Sequence, residues 1–121
     1  MQKAEGDFAT AARELRARKA PNFDAACFHA QQCAEKYLKA RLQEAGLAFS
    51  RTHSLTALLD LVLQVEPLWE VFRLALATLS AYAVEFRYPG ESADRGEAKD
   101  AVALCRSFRE HARVSLGLPK A

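Results

Sequence analysis

The sequence predicts an all-α protein: a single domain, residues 1–121, folded as an up-and-down bundle of five helices. Three observations predict it. Apolar residues recur at helical spacing along most of the chain, at about 100° per residue. Alternation of apolar and polar residues, the mark of a strand, never persists. The composition, 50% hydrophobic and 26% charged with only 5 Gly and 4 Pro, is that of a soluble helix-rich protein and not of a disordered or fibrous one. A chain of 121 residues is long enough to bury a core without disulfides or metal.

The first helix is expected over about Gln2 to Lys19, with Phe8, Ala11, Ala12 and Leu15 facing inward and Arg13, Arg16, Arg18 and Lys19 outward. The basic cluster in its last turn suits the negative end of the helix dipole. Pro21 stops this helix, and Asn22 or Asp24 caps the next; so short a connector makes the two helices antiparallel neighbours. The stretch Asn22 to Gly46 is rich in good helix formers and is the one around which the rest is built. Phe23, Cys27, Ala30, Ala34, Tyr37 and Leu38 gather into its apolar stripe. Gln32, Lys36, Lys39 and Gln43, with Glu35 beside them, form a polar ridge on the other side. Phe28 lies next to that ridge and away from the stripe, which suggests contact with a partner.

Gly46 closes the second helix, and Thr52 or Ser54 caps a third over about Ser54 to Val65, carrying Leu55, Leu58, Leu59, Val62 and Leu63. Pro67 opens a fourth helix with an unbroken stripe of Leu68, Val71, Phe72, Ala75, Leu76, Leu79, Tyr82 and Phe86, and with Trp69 as a packing residue. It ends at Arg87-Tyr88-Pro89-Gly90, because Pro89 disfavours helical geometry at Tyr88. The last helix, from Glu97 to about Leu116, turns Ala98, Ala101, Val102, Cys105, Phe108 and Ala112 inward. Arg106, Arg109, Glu110 and Arg113 form its solvated face, and Gly117 and Pro119 end it.

A formal net charge of +2 gives no bulk attraction for nucleic acid, so any such role rests on a local patch. The charged N-terminus has no apolar signal core, and no window approaches the roughly 18 apolar residues of a membrane span, so a cytoplasmic protein is expected. The 3 cysteines, Cys27, Cys33 and Cys105, stand where small apolar residues would serve and are read as reduced, buried thiols. No CxxC or HExxH spacing occurs, and Cys27, His29 and Cys33 do not share a helical face, so neither metal nor cofactor is expected.

Three segments taken together, FHAQQCAEKYLKARLQEAG, then RTHSLTALL, then EFRYPG before a last helix, resemble the HEPN domain family in order and spacing over nearly the whole chain. The resemblance implies a small helical bundle, commonly homodimeric and often paired with a minimal nucleotidyltransferase in a toxin-antitoxin-like module. In many such pairs the HEPN partner is an RNase. RNase members carry an Arg followed, roughly four to six residues later, by a His at the dimer seam. Here the matching Arg is Arg87, and Ser92, Ala93 and Asp94 occupy the positions for the His. Without that imidazole the usual proton carrier near neutral pH is missing, while Arg87 can still grip a phosphate with its planar fork. A second spacing, Arg106 to His111, spans roughly 140° on a continuous helix, so the two side chains diverge.

The ligand-binding set is therefore Arg87 with Tyr88 beside it, His53 at the start of the third helix, and Lys36, Lys39 and Gln32 on the polar ridge. Tyr82, Phe86 and Tyr88 also read as core and dimer contacts. The function expected is a regulatory partner that holds nucleotide or RNA phosphates, dimerises, and docks a nucleotidyltransferase. The alternative is a metal-independent RNase toxin of the HEPN type.

Overall fold

The computed structural model describes residues 1–82 and 92–120. Phe86, Arg87, Tyr88, Pro89 and Gly90, on which the sequence places the fourth helix's end and the phosphate-gripping guanidinium, lie outside the described residues. Within them every regular element is helical: α1 (Gln2–Arg16), α2 (Phe23–Glu44), α3 (Leu55–Val62), a 3-10 helix (Pro67–Phe72) running into α4 (Arg73–Ala81), and α5 (Arg95–Ser115). None of these helices is long and apolar enough to cross a membrane.

Helix α2 is the hub and packs against α1, α3, α4 and α5. Its small side chains allow this. Ala26, Cys27, Ala30, Cys33 and Ala34 are buried with no exposure, and so are Tyr37, Leu38 and Leu42. Burial therefore extends well beyond one stripe. Asn22 starts the helix by accepting from the Ala25 N–H at 2.9 Å, which satisfies one of the donors that the first turn leaves open. Gly46 ends it at φ +72°, and the Leu47 N–H closes on the Leu42 carbonyl at 2.9 Å, a turn that a side-chain-bearing residue would enter only with strain.

Helix α1 stops at Arg16, short of Lys19, because Ala17 is already extended (φ −59°, ψ 131°). Arg18 and Lys19 thus belong to the connector. Ser54 caps α3, accepting from the Ala57 N–H at 3.2 Å. Asp94 and Glu97 cap α5 reciprocally, at 2.7 and 3.2 Å, so α5 starts two residues ahead of Glu97.

Two readings of the sequence are overturned. The stripe assigned to the fourth helix fails at its start: Leu68 and Val71 are 86% and 77% exposed, as is Leu74 at 79%. The 3-10 turn after Pro67 winds at three residues per turn, and this shifts the phase so that Leu68 and Val71 turn outward, while Phe72 of the expected stripe and Trp69, read as a packing residue, do point inward. Both meet Phe108 of α5 edge to face, at 5.4 and 5.3 Å between ring centres. The second correction concerns α5, where Arg109 and Arg113 are buried and not part of a solvated face. Their guanidinium groups are neutralised by Glu5 of α1, a contact across 104 positions that local patterning cannot anticipate.

The three cysteines are free and buried, as the sequence suggests. A hydrogen bond between Cys33 and Cys105, together with burial, raises the Cys33 thiol above its ordinary range and keeps it protonated.

Candidate functional site

The polar ridge of α2 is organised by two buried carboxylates. Asp7 of α1 is 8% exposed and Glu35 of α2 is 4% exposed; an unpaired charge at either depth would cost several kcal/mol, on the order of the penalty for an uncompensated buried ion. Each is satisfied in the same way, by one imidazole and one ammonium. Asp7 Oδ1 lies 2.7 Å from His29 Nδ1, and its other oxygen accepts from Lys36 Nζ. Glu35 has both oxygens 3.1 Å from His53 Nδ1, and Lys39 Nζ donates to Oε2 at 3.1 Å.

Gln31, with no exposure, locks the second cluster. Its Nε2 donates to Glu35 Oε1 at 3.3 Å and to the His53 carbonyl at 3.2 Å, tying the start of α3 to α2. Gln32 Nε2 donates to Gln31 Oε1 at 2.8 Å. Because an ionised carboxylate only accepts, each imidazole donates to it from Nδ1.

Lys36 and Lys39 stand at three-residue spacing on one face of α2 and, with Lys3, Gln2, Ala40 and Gln43, line an open groove of about 630 Å³ between that face and the start of α1. An ammonium carries three N–H donors. The bond to Asp7 or Glu35 uses one on each lysine, so both can still donate into the groove. The carboxylates set the position of the lysines and limit their rotamers, which lowers the entropy lost when an anion is held.

A third cluster seals the opposite side of α1. Glu5 takes Arg109 in a two-pronged grip, Nε to Oε2 at 2.7 Å and Nη2 to Oε1 at 2.5 Å, and also accepts from the Tyr37 hydroxyl at 2.6 Å. Arg113 Nη1 donates to that same hydroxyl at 2.9 Å. The Arg109 bond is the chief reason that the Glu5 carboxyl is lowered to about 2, against the opposing effect of burial, with Tyr37 adding to the shift. Burial and then the bond to Glu5 push the Tyr37 hydroxyl up to about 12. The C-terminal turn, with Gly117 at φ +74°, delivers the carbonyls of Pro119 to Arg113 Nε and of Lys120 to Arg109 Nη1. Every part of this cluster is engaged within the fold, so it serves as a brace.

Of the residues singled out from the sequence, Gln32, Lys36, Lys39 and His53 are thus brought to one ridge, whereas Arg87 and Tyr88 lie outside the described residues. His53 is held in place by Glu35 while Ser54 does the capping. Arg106 and His111 do diverge: Arg106 lies over the Phe8 ring at 5.6 Å, and His111 packs on Phe72 at 5.0 Å. Asp7, His29, Gln31 and Glu35 are the members that sequence reasoning passed over as functional. One signal was present, since His29 extends the Gln32, Lys36, Lys39, Gln43 ridge by one more three-residue step. A buried Asp among the alanines of α1 was the other.

The family model described as HEPN domain matches residues 1–114. No curated protein and no solved structure matches the chain.

Proposed function

Because the chain belongs to the HEPN domain family, for which a nucleotide- or RNA-related role is general, we propose that it is a binding module whose groove between α1 and α2 holds the phosphates of RNA or a nucleotide. The observation that carries this reading is the pair Lys36 and Lys39, each anchored from beneath by a buried carboxylate and opening onto the same groove as Lys3. Anchored cations of this kind favour an oxyanion that lies along the helix over a freely diffusing counterion, and they do so without a large net charge. His53 stands beside Lys39 on Glu35 and contributes a further polar edge to the same ridge. Arg87 is proposed as an additional phosphate contact on the strength of its place in the motif.

In this reading the protein acts as a regulatory partner, pairing with a minimal nucleotidyltransferase and with a second copy of itself. Phe28, exposed beside the ridge and edge-on to His29 at 5.3 Å, is the proposed contact for the second copy. The test is fluorescence anisotropy with a labelled single-stranded RNA and with ATP, using wild type and the double variant Lys36→Ala/Lys39→Ala. Binding by wild type that the double variant loses supports the groove; equal binding by both rejects it.

A further inference from the structure

We infer that the trough between the 3-10 helix and α5 is a docking site for an amphipathic helix of a partner protein, one whose apolar stripe is flanked by Lys or Arg. This surface shares no residue with the groove between α1 and α2. Residues 67–82 carry only two charged side chains, Glu70 and Arg73. The three-residue turn sorts their neighbourhood into columns. Trp69 and Phe72 go inward. Glu70 and Arg73 lean to α3, where Arg73 reaches Asp60 Oδ1 from Nη2 and Glu70 Oε1 from Nε, both at 2.6 Å. Leu68 and Val71 make the third column, and Leu74 continues it into α4, all three largely exposed. Single exposed apolar side chains are ordinary, but a contiguous row of large ones marks a surface that another molecule covers.

The row borders a hollow of about 460 Å³ lined by Leu68, Val71, Trp69, Phe72, His111 and Ser115. A second hollow of about 320 Å³ shares Trp69, His111 and Ser115 and extends to Glu110, Lys120 and Val114, which is 54% exposed. The wall between them is already set: His111 Nδ1 donates to the Ser107 carbonyl at 3.1 Å, and its ring packs edge-on to Phe72. A preformed wall lowers the ordering cost of binding.

The charges along the trough select its occupant. On the α3 side, Arg73 brings one positive charge against two carboxylates, Asp60 and Glu70, whose side chains are 61% and 55% exposed. On the α5 side Glu110 lines the trough. Glu66 is balanced by Arg41 at 3.7 Å, and Lys120 places an ammonium at one corner only. Both long edges are therefore negative, on a chain whose formal net charge is +2. A two-fold pairing of this face with a second copy sets negative edge on negative edge in either orientation, and an anionic lipid surface is repelled. A helix with apolar residues at every third or fourth position and cations beside them meets both demands. Its apolar side chains cover Leu68, Val71 and Leu74, while its cations reach Asp60, Glu70 and Glu110.

The experiment follows the anisotropy of a labelled synthetic peptide titrated with the full chain. The peptide has about 18 residues, above the length at which isolated helices are marginal, with Leu at helical spacing and Lys on both flanks. A second peptide carries Glu in place of every Lys. The Lys peptide is expected to bind at least about 10-fold more tightly than the Glu peptide. Leu68→Ser/Val71→Ser is expected to weaken it at least about 10-fold while melting as wild type does, which separates lost binding from lost fold. Asp60→Asn/Glu110→Gln narrows the difference between the two peptides, and Lys36→Ala/Lys39→Ala, in the other groove, leaves it unchanged. Equal binding of the two peptides, equal binding by wild type and the serine variant, or no binding of either peptide overturns the docking site and leaves the phosphate groove untouched. A wild-type dimer that the serine variant splits, or binding to phosphatidylserine vesicles through the same residues, overturns it as well.

Discussion

Asp7 of α1 and His29 of α2, 22 positions apart, meet at 2.7 Å, and the same carboxylate accepts from Lys36, roughly two turns further along α2. The contact welds the first two helices together. Truncating the carboxylate leaves an imidazole and an ammonium without their acceptor, but both reach water. Asp7→Ala is therefore expected to cost about 1–3 kcal/mol, the range for an unsatisfied polar group and below that of a fully buried ion pair. Urea unfolding followed by circular dichroism measures it, and an unchanged midpoint would show that the weld carries no stability.

Glu5 gives the protein an acid-sensitive brace. Its carboxyl is lowered from 4.5 to about 2 in the fold, so the stabilisation is fully present above about pH 4.5 and is lost as the pH falls through the folded value. Allowing for the 31% of the side chain that water still reaches, the contribution is about 1–2 kcal/mol. Glu5→Gln should lower stability at pH 7 by about that amount and flatten its decline between roughly pH 4.5 and 2. Parallel pH-dependent melts of the two proteins check this.

Phe108 is 1% exposed and takes the edges of both Trp69 and Phe72. Phe108→Ala should cost about 3–5 kcal/mol through the cavity it opens. Leu68→Ser, on the outward side of the same 3-10 helix, should stay within about 0.5 kcal/mol. If the two variants unfold at the same denaturant concentration, the phase assigned to this segment is wrong.

Under the groove reading, RNA affinity depends on salt. Replacing Lys36 or Lys39 with Ala should reduce the slope of log affinity against log salt by about 0.7 for each single-strand phosphate that the protein no longer neutralises. The same replacement at Arg13, which is exposed on α1 and bonded to Thr10, should leave the slope unchanged. Titrations at several salt concentrations read both.

The helices and several of their ends were legible in the sequence because they are set by near neighbours, although α1 and α3 stop three residues earlier than expected and α5 starts two residues earlier. Asn22 and Ser54 cap within three residues, Gly46 and Gly117 supply the positive φ that ends α2 and α5, and apolar periodicity fixed the inward faces of α3 and α5; the Asp94 cap, which starts α5 at Arg95, was not read from the sequence. The family followed from segment order alone. Periodicity misled at Leu68 and Val71, where a tighter local winding replaced the α-helical one that the pattern assumed. It also misled at Arg109 and Arg113, which look like surface until Glu5 is brought to them.

What the sequence by itself determined, then, was an all-helical HEPN bundle and the ridge on which Lys36 and Lys39 stand. Only the tertiary structure decided which polar side chains are buried and with whom. Asp7 finds His29 and Lys36, Glu35 finds His53, and Glu5 finds Arg109 across separations of 18 to 104 positions. The reason is physical: helix formation follows from contacts a turn apart, but each of these charges leaves water only when packing has delivered a partner from a distant part of the chain.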